Sequence, residues 1–366
     1  MMGFWISIAM FGLIGLMQIF IPYMLKRTII FGVTIPASFI HHHVVKQTKK
    51  IYSIAMFIIW LILLISYSIW ALHINYNENL QVVVGIGTIL FFILISLLFY
   101  AYFHYKLQKE KRQEQWGADL TEVKIASTSL SGQDGMLPLS YFISLVFVSL
   151  ILIIYTYYQY PILPEQIPTH WGPNGKPDAF TEKNRFSIIS LPLVMLVMQA
   201  MFVAISEGTK RSGIKISAFN MQRSAFNQIK KRKYTSWFMF LTAFLITILF
   251  SFLQLTTIHH DIIGQNIMLA MFITFIAVIF VGSIIFTFKV SRLEKEGYSS
   301  NLKEGIMDID DDRYWKGGLM YFNKEDPSLF VEKRFGIGWT INFARPMSYV
   351  ILFGPLLLIL LIAYFS

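Results

Sequence analysis

Apolar residues fall into eight long stretches, at approximately residues 4–24, 53–72, 82–103, 138–159, 186–205, 236–256, 265–288 and 347–365. A helix needs roughly 20 apolar residues to cross the hydrocarbon core of a bilayer, and each stretch is close to that length. No Asp, Glu, Lys or Arg occupies the central part of any of them. The pattern predicts an all-α polytopic membrane protein with eight transmembrane helices. Pro192 and Pro355 lie inside apolar stretches. They predict kinks, because neighbouring helices can re-satisfy the backbone groups that proline frees. The first stretch is expected to stay as a helix, since no basic residue precedes it and no small-residue cleavage pattern follows.

The polar gaps add an orientation. Of the 31 lysines and arginines, 28 sit in four alternate gaps, at 25–52, 104–137, 206–235 and 289–346. Basic loops stay on the cytoplasmic side, so both termini are predicted to be extracellular in a cell membrane. The net charge of +10 then reads as loops facing anionic lipid, not as a nucleic-acid surface. The absence of cysteine excludes disulfides, thiolate nucleophiles and cysteine metal sites.

These gaps divide the chain. Residues 1–126 form an N-terminal three-helix region, and 127–137 a Ser/Gly/Asp-rich linker. Residues 138–205 are a helix–loop–helix with an external cap. Residues 206–288 hold the sixth and seventh helices and a basic loop, 289–346 a small β-rich cytoplasmic module, and 347–366 the last helix. The external loop carries five prolines between Pro161 and Pro177, with Asn174-Gly175 between the last two. Such stiff chemistry predicts an ordered loop, with tight turns at Pro168, Trp171 and Asn174-Gly175 over the ends of the fourth and fifth helices. In the module, aromatic and β-branched runs broken by Asn, Asp-Pro and Gly predict short strands. Its aromatic surface predicts docking against the inner helix ends and residues 28–36, where Phe31, Val33 and Ile35 alternate as one strand would.

The external segment reads Leu163-Pro164, then Ile167-Pro168-x-His170-Trp171, then Gly175-x-Pro177-Asp178, then Lys183. Over roughly 138–205 it resembles the loop of the SdpI-like family of immunity and signalling membrane proteins. The wider chain is similar to a larger Gram-positive bacterial group. That likeness rests on Arg27-x-x-x-Phe31-Gly32-Val33-x-Ile-Pro36, Asp312-x-Tyr314-Trp315 and Trp339-x-x-Asn342. The chain departs from the immunity protein in its extra N-terminal helices and its module. The resemblance implies a response to a membrane-active antimicrobial or toxin peptide outside, and it brings no catalytic residue.

Residue chemistry gives two candidate sets. Outside, Pro168, His170, Trp171, Asn174, Asp178 and Lys183 could contact a ligand. His170 itself reads either as a ligand contact or pH-sensitive group, or as a hydrogen-bond donor ordering the loop beside Trp171. Inside, Asp312, Tyr314, Trp315, Arg334, Trp339 and Asn342 could hold a cytoplasmic protein partner or transcriptional regulator. The run Asp308–Asp312 lacks the Gly and Glu of a calcium loop and is expected to bind Arg or backbone N–H groups. The outer histidines lack the spacing that puts two ligands on one helix face, so no metal is expected. No phosphate loop, H-E-x-x-H or G-x-S-x-G occurs. No cofactor, catalytic residue or direct nucleic-acid contact is expected. Gln18, Ser66, Gln199 and Gln254 are expected to bind helices together. The reading is a non-enzymatic membrane sensor or immunity-type protein, with membrane lipid around it. The alternative is a transporter or flippase for amphipathic molecules.

Overall fold

Among the described residues the apolar stretches become eight helices, each long and apolar enough to cross a membrane. The computed structural model describes residues 2–24, 28–73, 78–123, 135–172, 175–214, 216, 221–259, 264–297, 306–308, 310–334 and 338–366. The first group of elements is α1 (Met2–Met24), β1 (Ile29–Ile30), β2 (Val33–Thr34), α2 (His43–His73), α3 (Glu78–Gln113) and β3 (Thr121–Val123). The next is α4 (Leu139–Tyr158), β4 (Gln166–Trp171), β5 (Pro177–Glu182), α5 (Ser190–Arg211), α6 (Met221–Ile258) and α7 (Gln265–Gly297). The chain closes with β6 (Ile306–Asp308), β7 (Trp315–Lys316), β8 (Met320–Tyr321), β9 (Phe330–Glu332), β10 (Trp339–Ile341) and α8 (Pro346–Phe365).

The helices pack mainly in two groups, α1–α3 and α4–α8. In the first, α1 lies against both partners. Phe11 meets Phe92 edge-on at 5.6 Å, and Trp60 Nε1–H donates to the Phe11 carbonyl at 3.0 Å. In the second, polar side chains do the joining. Ser149 of α4 donates to Gln199 of α5 at 2.7 Å. The Gln199 amide donates to Thr247 of α6 at 2.9 Å and to the Leu145 carbonyl at 3.1 Å. Gln254 donates to Thr156 and to the Ile188 carbonyl. Gln199 and Gln254 thus bridge helices where water cannot compete.

Several boundaries differ from the sequence expectation. α2 starts at His43, α3 runs to Gln113, α6 starts at Met221 and α7 runs to Gly297. Lys, Arg, Gln and Glu are good helix formers, so the basic gaps continue the helices past their apolar runs. Residues 289–297 therefore belong to α7 and not to the β-rich module. Most of the expected linker, 127–134, lies outside the described residues. Its end is buried, with Leu137 N–H donating to Ser236 of α6 at 2.6 Å. Residues 28–36 are not one strand. They form the β1–β2 hairpin, with Ile29 opposite Thr34 and Ile30 opposite Val33. Its two turn residues, Phe31 and Gly32, have φ of +46° and +73°, the signature of a two-residue turn that follows strand twist.

The module is made of two-stranded pieces. β7–β8 and β9–β10 are antiparallel, joined by a bridge from Tyr321 to Asn342. β6 pairs in parallel with β3. At the other end of the helices β4 and β5 form a hairpin cap.

Candidate functional site

The β1–β2 turn sets one side of the most elaborate polar site. A bulky residue at positive φ is costly, and Phe31 is held there by packing. Its ring lies between Tyr52, Phe103 and Tyr100 at 5.2–5.5 Å. His104 of α3 donates from Nδ1 to the Phe31 carbonyl at 2.8 Å. The next backbone groups then face the module. Thr34 donates its N–H (3.0 Å) and its hydroxyl (2.9 Å) to Asp312. The Gly32 carbonyl accepts from Arg334 at 2.6 Å. A Cβ on Gly32 would lie 2.5 Å from Gly318 Cα, so only glycine permits this approach to the β7–β8 turn.

Charge fills the gap between the two. Arg334 pairs with both Asp311 and Asp312. Lys111, near the end of α3, reaches Asp310 at 2.5 Å and Asp312 at 2.9 Å. Asp312, Arg334 and Lys111 are all buried. Burial alone would raise the Asp312 carboxyl, but Arg334 and Lys111 outweigh it and hold it at about 2. Burial would also weaken the Arg334 cation, and Asp311 and Asp312 more than offset that. Asp310 goes the other way. Burial and the neighbouring Asp312 raise its carboxyl despite Lys111. Arg334 also lies over the Trp315 ring at 5.3 Å, and Tyr314 and Trp315 both pack on Tyr321.

A second contact ties the module to the other helix group. Glu332 of β9 accepts from Lys231 at 2.5 Å and from Gln228 at 3.1 Å, both on α6. Lys231 also lies over the Trp339 ring at 5.8 Å. Phe330 presses on α5 at Gly208, where a Cβ would come within 2.2 Å of its ring. Asn342 is wholly buried and pins the strands. It donates to the carbonyls of Asn323 and Asp326, and its oxygen accepts from the N–H of Asn323 and Ala344. Ser348, in the first turn of α8, donates to the Asn342 carbonyl at 2.8 Å.

The cap occupies the far ends of the helices. His170 Nδ1–H donates to Asp178 at 2.5 Å across the hairpin, with both side chains exposed. Lys183 is tucked in: it donates to the Leu163 carbonyl at 2.8 Å and lies over Tyr160 at 4.9 Å. Trp171 is half-buried against Leu249, Leu253 and Met268, so the cap also covers α6 and α7. Pro168 is not a turn residue. It lies in β4 at a register irregularity, a place where a strand tolerates a missing N–H. The hairpin is closed past Trp171 by Gly172 N–H donating to the Lys176 carbonyl at 2.8 Å. Asn174 lies outside the described residues.

The structure brings Asp312, Trp315 and Arg334 into one cluster with Tyr314 at its edge, and sets Trp339 in β10 and Asn342 just past its end. Sequence reasoning missed the partners Thr34, Lys111, Lys231 and Glu332. Lys111 carried one signal: His104, Leu107 and Lys111 share a helix face, and all three are buried. Among the described residues no cluster of His, Cys, Asp and Glu could hold a metal ion.

Two stretches match known families. Residues 147–196, from α4 through the cap into α5, match a domain of unknown function, DUF1648. No curated protein and no solved structure matches the chain. Residues 324–349, from the β8–β9 connection to the first turn of α8, match a family of unknown function, DUF5808.

Proposed function

We propose that this is a non-enzymatic sensor or immunity-type protein of a cell membrane. In this reading the cap and both termini are outside, the module is cytoplasmic, and the ligand is a membrane-active peptide or envelope component. One observation carries it: α8 runs from the module to the cap. It starts at Pro346, fixed to the module through Ser348. It ends at the cap, where Phe365 meets Phe186 edge-on at 6.2 Å and Thr181 donates to the Ser366 carbonyl at 2.6 Å. Its 20 residues span about 30 Å. α5 makes a second link, from the cap to Phe330. A ligand that shifts the cap would therefore pull on strands that also clamp α3 and α6. The resemblance of the cap segment to the SdpI-like loop supports a peptide as the ligand class.

The alternative is a transporter or flippase for amphipathic molecules, favoured by the packing of the helices mainly within two groups. Deleting the gene and challenging cells with a panel of membrane-active peptides separates the readings. The sensor reading expects selective sensitivity that the intact gene reverses and Asp312→Asn does not. Unchanged sensitivity across the panel, with altered movement of a fluorescent lipid across the membrane, would overturn it.

A further inference from the structure

A two-stranded ribbon with one face packed on a core should present polar residues on the other. The β7–β8 ribbon does so only in part. Trp315 and Tyr321 face inward and are buried. The outward cross-strand pair is Lys316 and Met320, and Phe322 continues the ladder by donating its N–H to the Tyr314 carbonyl at 2.8 Å. Met320 is 48% exposed and Phe322 39%. Their position gives this a meaning. The ribbon's turn lies against α3, where a Cβ on Gly317 would sit 4.0 Å from that of Ala101 and one on Gly318 would sit 2.7 Å from His104 Nδ1. Ala101 belongs to the apolar run at 82–103, so the ribbon's tip reaches the level at which α3 enters the bilayer. Tyr102 and Tyr105 are exposed on α3 at that level, as aromatic side chains at a membrane interface are. Exposed cations accompany the apolar pair: Arg313, Lys316 and Lys324. Against them stands exposed Glu325, while Asp326 is turned onto the Tyr321 hydroxyl.

We propose that the outer face of the β7–β8 ribbon lies in the headgroup layer, with Met320 and Phe322 dipped among the acyl chains and Arg313, Lys316 and Lys324 binding anionic phospholipid. Long basic side chains lay their stems on apolar surface and keep the charge at the headgroups, and anionic lipid supplies the opposite charge. This depends on the helices crossing a bilayer and not on the sensor reading.

The chain has no cysteine, so single probes can be placed directly. Met320→Cys, Phe322→Cys and, as a control, Glu325→Cys in the full chain carry an environment-sensitive fluorophore. Each is studied in nanodiscs of phosphatidylcholine with or without phosphatidylglycerol. The expected result is blue-shifted emission at 320 and 322, quenched several-fold more by a lipid-borne nitroxide than at 325, and most strongly with phosphatidylglycerol. Arg313→Gln with Lys316→Gln should remove that preference while leaving the 325 spectrum unchanged. Quenching of 320 and 322 by aqueous iodide to the same extent as 325 would overturn the proposal. So would blue-shifted emission that the lipid-borne quencher does not touch, which would mean a protein covers the face. Equal lipid quenching with and without phosphatidylglycerol would overturn the anionic recognition.

Discussion

Asp312 is the residue on which the module's polar site turns. It accepts from Thr34, Lys111 and Arg334 at once, and removing one partner of a buried ion pair costs about 3–5 kcal/mol because the other charge is left uncompensated. Asp312→Asn is therefore expected to lower the thermal midpoint of the purified chain strongly, while Asp310→Asn changes it little. The signs of the two carboxyls differ. Asp312 is held below its unfolded value, so its stabilisation is complete above about pH 4 and is lost as pH falls through about 2. Asp310 is raised, so its contribution is present in acid and is lost as pH rises through its folded value. A pH series of unfolding midpoints should show Asp312→Asn flattening the acid limb and Asp310→Asn not doing so. Gly32→Ala tests the close approach: positive φ costs roughly 1–2 kcal/mol before the clash with Gly318 is counted. At this scale the sequence was half legible. The acidic run was expected to bind Arg or backbone N–H groups, and it binds both. Thr34 and Lys111 were not readable as its partners, because they lie 278 and 201 positions from Asp312 along the chain and nothing in local spacing pairs them with it.

Elements were legible where they are apolar. Each of the eight apolar runs became a helix, because an apolar run of that length has one low-energy form in lipid. The polar tails of α2, α3, α6 and α7 were not, because basic and amide residues suit helix and solvated loop alike. The two-residue strands of β1–β2 were hidden too: their alternation is that of a single strand until Phe31 and Gly32 turn. Gln199 shows how a buried polar residue secures an element. Its amide joins α4, α5 and α6, and interhelical hydrogen bonds in lipid contribute about 0.6 kcal/mol on average and up to about 1.7. Gln199→Leu should lower the unfolding free energy of the chain within that range, measured by denaturation in mixed micelles. A larger loss would mean the side chain does more than join helices.

Across the molecule, the module is clamped from two sides and α8 carries it to the cap. The α6 clamp has its own test. Lys231→Met alone takes the Lys231 cation from Glu332, whereas Lys231→Met with Glu332→Leu replaces the pair by apolar groups and should recover most of the loss. The central claim is that cap and module move together. Its most direct measurement is hydrogen exchange on the full chain in nanodiscs, comparing the unaltered protein with Phe365→Ala combined with Thr181→Val. The account predicts faster exchange not only in 177–187 but also in 339–348 and in the 29–35 hairpin. Faster exchange confined to 177–187, with 339–348 unchanged, would contradict it.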